Sequence, residues 1–146
     1  MSTYYGFDGV IGHILTSPTL ATGVATVLPF NDKEILVSDA KAHSTTTNPS
    51  RFIATRDGLY TVECTVAFTS LAAVGHVKIG YDLNGGNAPV YLAAQPTTTT
   101  AHAPVLNFSK TLHMALGDYI ELVAFQNAVA TTTISIAETQ VLFRKL

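Results

Sequence analysis

The side chains that could carry out chemistry in this chain are few and far apart. Five histidines occur, and no two of them have a metal-ligand spacing such as His-Glu-x-x-His. They are His13, His43, His76, His102 and His113. Histidines scattered in this way are typical of surface or solvated positions. We therefore predict no transition-metal site and no bound cofactor.

One short stretch places oxygen ligands close together. Asp82, Asn84 and Asn87 supply one carboxylate and two amides, and oxygen ligands suit Ca²⁺. The fuller EF-hand pattern is missing, and Asn84-Gly85-Gly86-Asn87 also fits a hairpin turn, since Asn and Gly tolerate positive φ. A weak calcium site and a plain turn both stay open.

The sequence supplies no convergent set of nucleophile, base and oxyanion donors. Cys64 is in phase with Val62 and Val66, so we expect a buried and inert thiol. There is no Gly-x-Ser-x-Gly elbow and no phosphate loop. Four acids remain that could pair across a fold, although turns explain two of them: Asp57, Asp118, Glu121 and Glu138. We predict that the chain is not an enzyme; a hydrolase built on a β-sandwich would need a constellation that is not found.

The composition of the chain excludes several further classes of protein. The 146 residues are 47% hydrophobic but only 12% charged, whereas about 25% is usual. Disorder is excluded by the apolar content, and no apolar run approaches the roughly 18 residues of a membrane span. A net charge of −2 without a basic block argues against nucleic-acid binding. The neutral, Thr-rich surface favours self-association or a protein partner, because interface cores are depleted of charge; the alternative is a β-protein that simply uses Thr in place of charge.

The elements that must position these residues are strands. From Tyr60 to Phe68 apolar and polar side chains alternate with period two, which is typical of a strand with one buried face. Tyr119 to Phe125 is nearly all apolar, which indicates burial on both faces. Lys110 falls in an apolar phase, so a bulge or a change of face is expected there. About eight to ten short strands and no helix predict an all-β, antiparallel sandwich or jelly roll.

The first 23 residues differ from the rest. Tyr4, Tyr5 and Phe7 stand among glycines, and neither strand nor helix periodicity holds for long. We predict an extended N-terminal arm over residues 1–23 and a jelly-roll domain over 24–146. The aromatic side chains either fold back on their own domain or dock on a neighbour; both interpretations stay open. The lone cysteine cannot form an internal disulfide, and no secretory leader is evident, so we expect synthesis in a cytoplasm.

Four motifs occur in order along the chain. They are Phe52-Ile53-Ala54 followed by Asp57-Gly58-Leu59-Tyr60, then Leu83-Asn84-Gly85, then Leu116 to Ile120, and finally Thr139 to Leu146. Together they resemble the tumour necrosis factor and complement globular-head superfamily, in which similar motifs form a Phe-x-Ala…Gly-x-Tyr signature, a mid-domain strand with an Asn-Gly turn, a Gly-Asp corner and the closing strand. The resemblance covers about residues 24–146.

The resemblance implies a ten-strand jelly roll that assembles as a homotrimer. In that family apolar and aromatic side chains of one sheet make the subunit contact. The positions to test here are Tyr60, Tyr119, Val123 and Phe125, for which ordinary sandwich core is the alternative. A collagen stalk and a signal peptide are not found, and the arm is an addition.

A jelly roll of this kind without a leader fits a bacteriophage. We expect a trimeric decoration protein on the virion surface, with a major capsid protein lattice as its partner and Tyr4, Tyr5 and Phe7 as lattice contacts. One rival is a receptor-binding head of a fibre or spike that uses the loops Ser38 to Ser50 and Gln95 to Pro104. Another is a secreted trimeric ligand-like module.

Overall fold

The computed structural model of the chain describes residues 8–37 and 42–146, which form twelve β-strands. The strands, in chain order, are β1 (Asp8–His13), β2 (Thr19–Ala21), β3 (Thr26–Val27), β4 (Asp32–Val37), β5 (Arg51–Ile53), β6 (Gly58–Ala67), β7 (Gly75–Leu83), β8 (Val90–Thr97), β9 (Val105–Met114), β10 (Tyr119–Gln126), β11 (Thr131–Thr133) and β12 (Gln140–Lys145). Among these residues no helix is long and apolar enough to cross a membrane.

The strands form two antiparallel sheets packed face to face. The front sheet has the order β4-β1-β12-β6-β9. The back sheet has the order β3-β10-β7-β8, with β5 also paired to β10, and β2 and β11 form a small third sheet. The predicted all-β, antiparallel jelly-roll sandwich is confirmed.

The core lies between the two sheets and follows the period-two pattern. On β6 the side chains of Tyr60, Val62, Cys64 and Val66 are buried, while Glu63 on the opposite face is exposed. Aromatic rings connect the layers. Phe143 of β12 stacks on Tyr60 at 5.0 Å and lies 5.7 Å from Phe52 of β5. Each such fully buried ring contributes roughly 1.5–3 kcal/mol to folding.

The N-terminal segment is part of the sandwich from Asp8 onward, which corrects the predicted boundary at residue 23. β1 lies inside the front sheet, paired on one side with β12 and on the other with β4. Its glycines conceal the strand pattern, and packing explains them. A Cβ on Gly9 would lie 2.9 Å from the Arg144 Cβ, and one on Gly12 would lie 2.8 Å from the Phe52 ring. The part of the predicted arm at residues 1–7, including Tyr4, Tyr5 and Phe7, lies outside the described residues.

Two further expectations about strands need correction. Lys110 causes no bulge, because the β6–β9 register runs without a shift from Gly58 to Ala67. Lys110 is half-buried on β9, and an edge strand of this kind lets a lysine bury its stem while its ammonium reaches solvent. The predicted loop Gln95 to Pro104 begins later, because β8 continues to Thr97, whose side chain is buried. Pro96 is tolerated since β8 is also an edge strand.

Candidate self-association surface

The structure does not bring the histidines together into a site. In the described part of the chain no three His, Cys, Asp or Glu side chains are grouped as metal ligands. His43 is the one whose environment differs from the expectation, since it is 1% exposed and stacks on Phe52 at 4.3 Å. Its Nε2 lies 2.6 Å from the Phe30 carbonyl oxygen and its Nδ1 lies 2.8 Å from that of Arg51. This is a structural role that no sequence spacing signals.

The three oxygen-bearing residues of the Asn-Gly turn are used by the turn itself. The Asp82 carboxylate accepts hydrogen bonds from the Gly86 N–H at 3.1 Å and the Asn87 N–H at 3.0 Å. The Asn84 side chain points elsewhere: it donates to Asp118 Oδ1 at 3.0 Å and accepts from the Tyr119 N–H at 2.8 Å. The positive φ angles of 55° at Asn84 and 53° at Asn87 fit a turn. The side-chain oxygens of Asp82 and Asn84 thus accept hydrogen bonds from protein donors, and the arrangement fits the turn interpretation.

The remaining acids and the thiol are also placed by local structure. Asp57 accepts from the Leu116 N–H at 2.7 Å, and Asp118 accepts from the Ala115 N–H at 2.9 Å. The Ala115 bond, together with that from Asn84, lowers the pKa of the Asp118 carboxyl. Glu121 binds Arg51 at 3.3 Å. Burial raises the pKa of the Cys64 thiol to about 12, so the thiol stays neutral at ordinary pH.

The four positions predicted for subunit contact fall in two different places. Tyr60 lies in the core at 1% exposure, and its hydroxyl donates to the Arg56 carbonyl at 2.9 Å. It is therefore out of reach of a partner in the folded chain. Tyr119, Val123 and Phe125 share the outer face of the back sheet, because Ile120, Leu122 and Ala124 of the same strand fill the core. No observation tests whether these three contact another subunit, so that remains a prediction.

On the back-sheet face the aromatic side chains already have cationic neighbours. The Arg51 guanidinium lies 4.3 Å above the Tyr119 ring. The Lys78 ammonium lies 5.7 Å from the Phe125 ring centre. Val123 is only 2% exposed in the single chain, where Val27 pairs opposite it.

The outer face of the front sheet is different in character, and the sequence prediction passed over it. It carries the polar phase of β6 and β9, with a hydroxyl contact of 3.4 Å between Thr61 and Thr111. Across the described parts of β6, β9 and β12, its charged side chains are Glu63 and Arg144, which approach to 4.0 Å. A hollow of about 370 Å³ opens in this face. Its outer-face lining comes from four strands: Ile11, Glu63, Thr65, Asn107, Ser109, Gln140 and Leu142.

The sequence did contain a signal for this face. Between the apolar residues of β6 and β9 stand mostly Thr, Ser and Asn, where a solvated sheet of an ordinary protein would carry more Lys and Glu. β1 adds Ile11, next to Leu142 of β12, to this face. The predicted arm over residues 1–23 includes β1, so the sequence prediction leaves this contribution out.

One end of the sandwich carries four exposed leucines, and we call it the leucine end. Its members are Leu59, Leu83, Leu116 and Leu146, which are 48%, 41%, 68% and 59% exposed. Hydrogen bonds show that they share this end. The Leu146 N–H donates to the Leu59 carbonyl at 2.9 Å, and the Leu116 N–H donates to Asp57, two residues before Leu59. The turn that holds Leu116 is bonded to the turn after Leu83 through Asn84 and Asp118. Asp8 pairs with Lys145, so β1 begins at this same end.

With this geometry in place, the fold can be compared with solved structures. An Eiger tumour necrosis factor from S. frugiperda is similar over 97% of this chain and 93% of that chain, at 14% identity and a TM-score of 0.61. Murine APRIL is similar over 96% of this chain and 99% of that chain, at 13% identity and a TM-score of 0.63. The globular domain of a zebrafish complement 1qA protein is similar over 95% of each chain, at 13% identity and a TM-score of 0.56.

The chain has the tumour necrosis factor-like jelly-roll fold. The identities are too low to show more than the fold. No protein-family model matches the sequence, and no curated protein matches it either. The resemblance seen in the four sequence motifs is thus confirmed at the level of the fold, and it extends to residues ahead of 24 because β1 belongs to the sandwich.

Proposed function

We propose that the chain is the subunit of a homotrimeric structural protein that decorates a bacteriophage capsid. The observation that carries the proposal is the outer face that β6, β9 and β12 form in the front sheet, where the charged side chains are one acid and one base, Glu63 and Arg144. Subunit contacts exclude water from charged groups at a high cost, so interface cores are depleted of charge. The front-sheet face supplies hydroxyl and amide groups together with the aliphatic side chains of Ile11 and Leu142.

The trimer contact is assigned to the front sheet in preference to the back sheet. A neighbouring side chain has room to enter the hollow of about 370 Å³ between β1, β12, β6 and β9. On the back sheet a neighbour would first have to displace Arg51 from Tyr119 or Lys78 from Phe125. The family resemblance supports a trimer, whereas the choice of sheet rests on these side chains.

Two matched substitutions test the choice of sheet. Thr65→Lys places a cation in the front-sheet face, where the cross-strand neighbours Asn107 and Gln140 are neutral. Ala94→Lys places the same cation on the exposed outer face of the back sheet. We expect T65K to be monomeric with an unchanged circular dichroism spectrum, and A94K to remain trimeric. The reverse result would instead support contact through Tyr119, Val123 and Phe125.

Lattice binding is assigned to the leucine end together with residues 1–7. The exposed leucines and the predicted lattice contacts Tyr4, Tyr5 and Phe7 would then bind the coat-protein lattice together. Three such contacts per trimer add strongly, because binding through the second and third becomes intramolecular. The partner is the major capsid protein, and the protein would reside on the virion.

A deletion that respects the fold tests this assignment. Removing residues 1–23 would take away β1, an inner strand of the front sheet, and would unfold the domain. Removing residues 1–7 leaves β1 intact. We expect the shorter deletion to yield folded trimers that no longer cosediment with capsid shells assembled without this chain. Trimers that still saturate the shells would remove these residues from the mechanism, and full-length trimers that never bind shells would contradict decoration itself.

The proposal includes no catalytic step. This part of the proposal is supported by the structural bonds of four acids. Asp57, Asp82 and Asp118 accept hydrogen bonds within turns, and Glu121 pairs with Arg51. A broad hydrolytic screen with ester, glycoside and phosphoester substrates should show no turnover above that of the denatured chain.

A receptor-binding head is the second candidate, and one observation favours it. The back sheet presents partly exposed aromatic rings beside Lys78, a combination suited to recognising a ligand. Copy number separates the two candidates. A decoration protein is present in hundreds of copies per particle, and a head at the tip of a fibre in few. Quantitative mass spectrometry of purified particles measures this number directly.

A further inference from the structure

The back sheet carries a lysine whose ammonium lies near two aromatic rings. Lys78 lies on the outer face of β7, and its ammonium is 5.5 Å from the Tyr91 ring centre and 5.7 Å from that of Phe125. In the part of the chain that the structure describes, no carboxylate lies within 4.0 Å of it. Cation–π contacts hold a charge in place without cancelling it, so the ammonium remains able to pair with an anion.

A β-bulge places Tyr91 beside Lys78. The β7–β8 register shifts between Ile79 and Gly80, so β8 has an extra residue next to Tyr91. Gly80 is required there, because a Cβ would lie only 1.9 Å from the Val90 carbonyl oxygen. Bulges re-aim side chains, and this one turns the Tyr91 ring toward Phe125, at 6.0 Å and 60°.

The surroundings of Lys78 form a shallow site with flat aromatic walls. The His76 ring continues the aromatic surface and stacks on Phe125 at 5.7 Å and 26°. Ala94 pairs with Lys78 across the strands, and its small side chain leaves a hollow of about 320 Å³. This hollow is lined by Lys78, Tyr91, Leu92, Ala93 and Ala94.

We propose that this hollow, together with the Phe125 ring that lies beside it, binds an acidic sugar, with the carboxylate on the Lys78 ammonium and the C–H face of the ring on Tyr91 and Phe125. One cation suits one carboxylate, and the net charge of −2 does not favour a polyanion. The open, shallow shape leaves one side of a ligand in water, which suits the hydroxyl groups of a sugar better than a wholly apolar molecule. Charge-assisted bonds set the orientation, and the aromatic faces supply the contact area.

The site does not depend on capsid decoration or on the trimer contact assigned above. It lies on the back sheet, whereas the trimer contact is placed on the front sheet. An acidic sugar is a common terminal unit of surface glycans and polysaccharides, so the site would let the protein attach to a carbohydrate surface.

The test is a titration of the ¹⁵N-labelled full chain with sialyllactose, followed by NMR, with lactose as the neutral probe. We expect saturable shifts at Lys78, Tyr91 and Phe125 with sialyllactose and weaker ones with lactose. Lys78→Gln should weaken binding by at least about tenfold, since it removes a charged hydrogen bond. Lys78→Arg should retain binding, and Lys110→Gln on the front sheet should leave it unchanged.

Several results would overturn the proposal. The first is the absence of saturable shifts up to about 10 mM sialyllactose. The second is an affinity for sialyllactose that stays unchanged in a folded Lys78→Gln variant. The others are an affinity of the parent chain for lactose, or for acetate, equal to its affinity for sialyllactose. Equal affinity for acetate would mean that the site binds a carboxylate alone and that the aromatic rings contribute nothing. Phe125→Leu checks this point separately, because it keeps Lys78 and should weaken sialyllactose binding without changing the response to acetate.

Discussion

Replacing His43 by leucine gives the sharpest test of how the core is held together. The ring is 1% exposed and stacks on Phe52, and its two nitrogens lie 2.6 Å and 2.8 Å from the carbonyl oxygens of Phe30 and Arg51. It therefore connects the segment before β4 to β5. Leucine keeps most of the apolar contact but donates no hydrogen bond.

The expected loss follows from the number of carbonyls left without a donor. A neutral ring has one N–H and serves one carbonyl, while a ring protonated on both nitrogens serves both. Each buried carbonyl that loses its donor costs about 1–3 kcal/mol. One to two such losses give about 3 kcal/mol, which lowers the melting temperature of a domain of this size by roughly 6–12 °C.

The assay is urea unfolding followed by circular dichroism at a single protein concentration, because the stability of an oligomer depends on concentration. His43→Gln retains one amide donor and should lose less than His43→Leu. His113→Leu, an exposed histidine on β9, should stay within about 0.5 kcal/mol of the parent. If His43→Leu were also within about 0.5 kcal/mol, the two carbonyl bonds would contribute nothing and the account of this part of the core would be wrong.

Three further predictions concern the bulge, an exposed acid and the thiol. Gly80→Ala should destabilise the fold by about 3 kcal/mol or more in the same unfolding assay, because its Cβ would meet the Val90 carbonyl oxygen at 1.9 Å. Gly23→Ala is the control: no atom lies within 4 Å of its Cβ, so it should cost only the backbone strain of a φ of 70°. The pKa of Asp118 is lowered by the Ala115 N–H and Asn84. The carboxylate therefore stabilises the folded state fully above the ordinary pKa of an aspartate, and this stabilisation is lost as pH falls through the lowered value. Asp118→Asn should flatten the acid side of the stability curve, below the ordinary pKa of an aspartate, and an unaltered curve would contradict this assignment. Cys64, with its pKa raised by burial to about 12, should not react with Ellman's reagent at pH 8 until the chain is unfolded in guanidinium; rapid reaction of the native protein would show that β6 opens.

The sequence predicts the sandwich because its long strands have a clear period. Tyr60 to Val66 alternates, and the core uses the apolar phase of that strand. Motifs that depend on turn chemistry are also recoverable: Asn84 and Asn87 adopt the positive φ angles that the Asn-Gly stretch predicts. Strand β1 is lost to sequence reasoning because Gly9 and Gly12 interrupt its pattern for reasons of packing against Arg144 and Phe52.

The surfaces are less predictable than the core. Tyr60 has the residue type of an interface anchor but is buried, and nothing in its local sequence separates the two roles. The Lys78 site depends on a bulge opposite Gly80 and on ring positions from three strands, which period-two reasoning cannot place. His43 is buried by tertiary contacts with Phe30 and Phe52, residues that approach it only in the folded chain.

The central claim is that the chain forms a trimer, and its solution mass tests this most directly. Multi-angle light scattering across a dilution series should give a stable mass near three times 15.5 kDa for the parent chain. The same mass for Ala94→Lys and a mass of one subunit for Thr65→Lys would place the contact on the front sheet. A clean monomer of the parent chain at every concentration would contradict the preformed trimer.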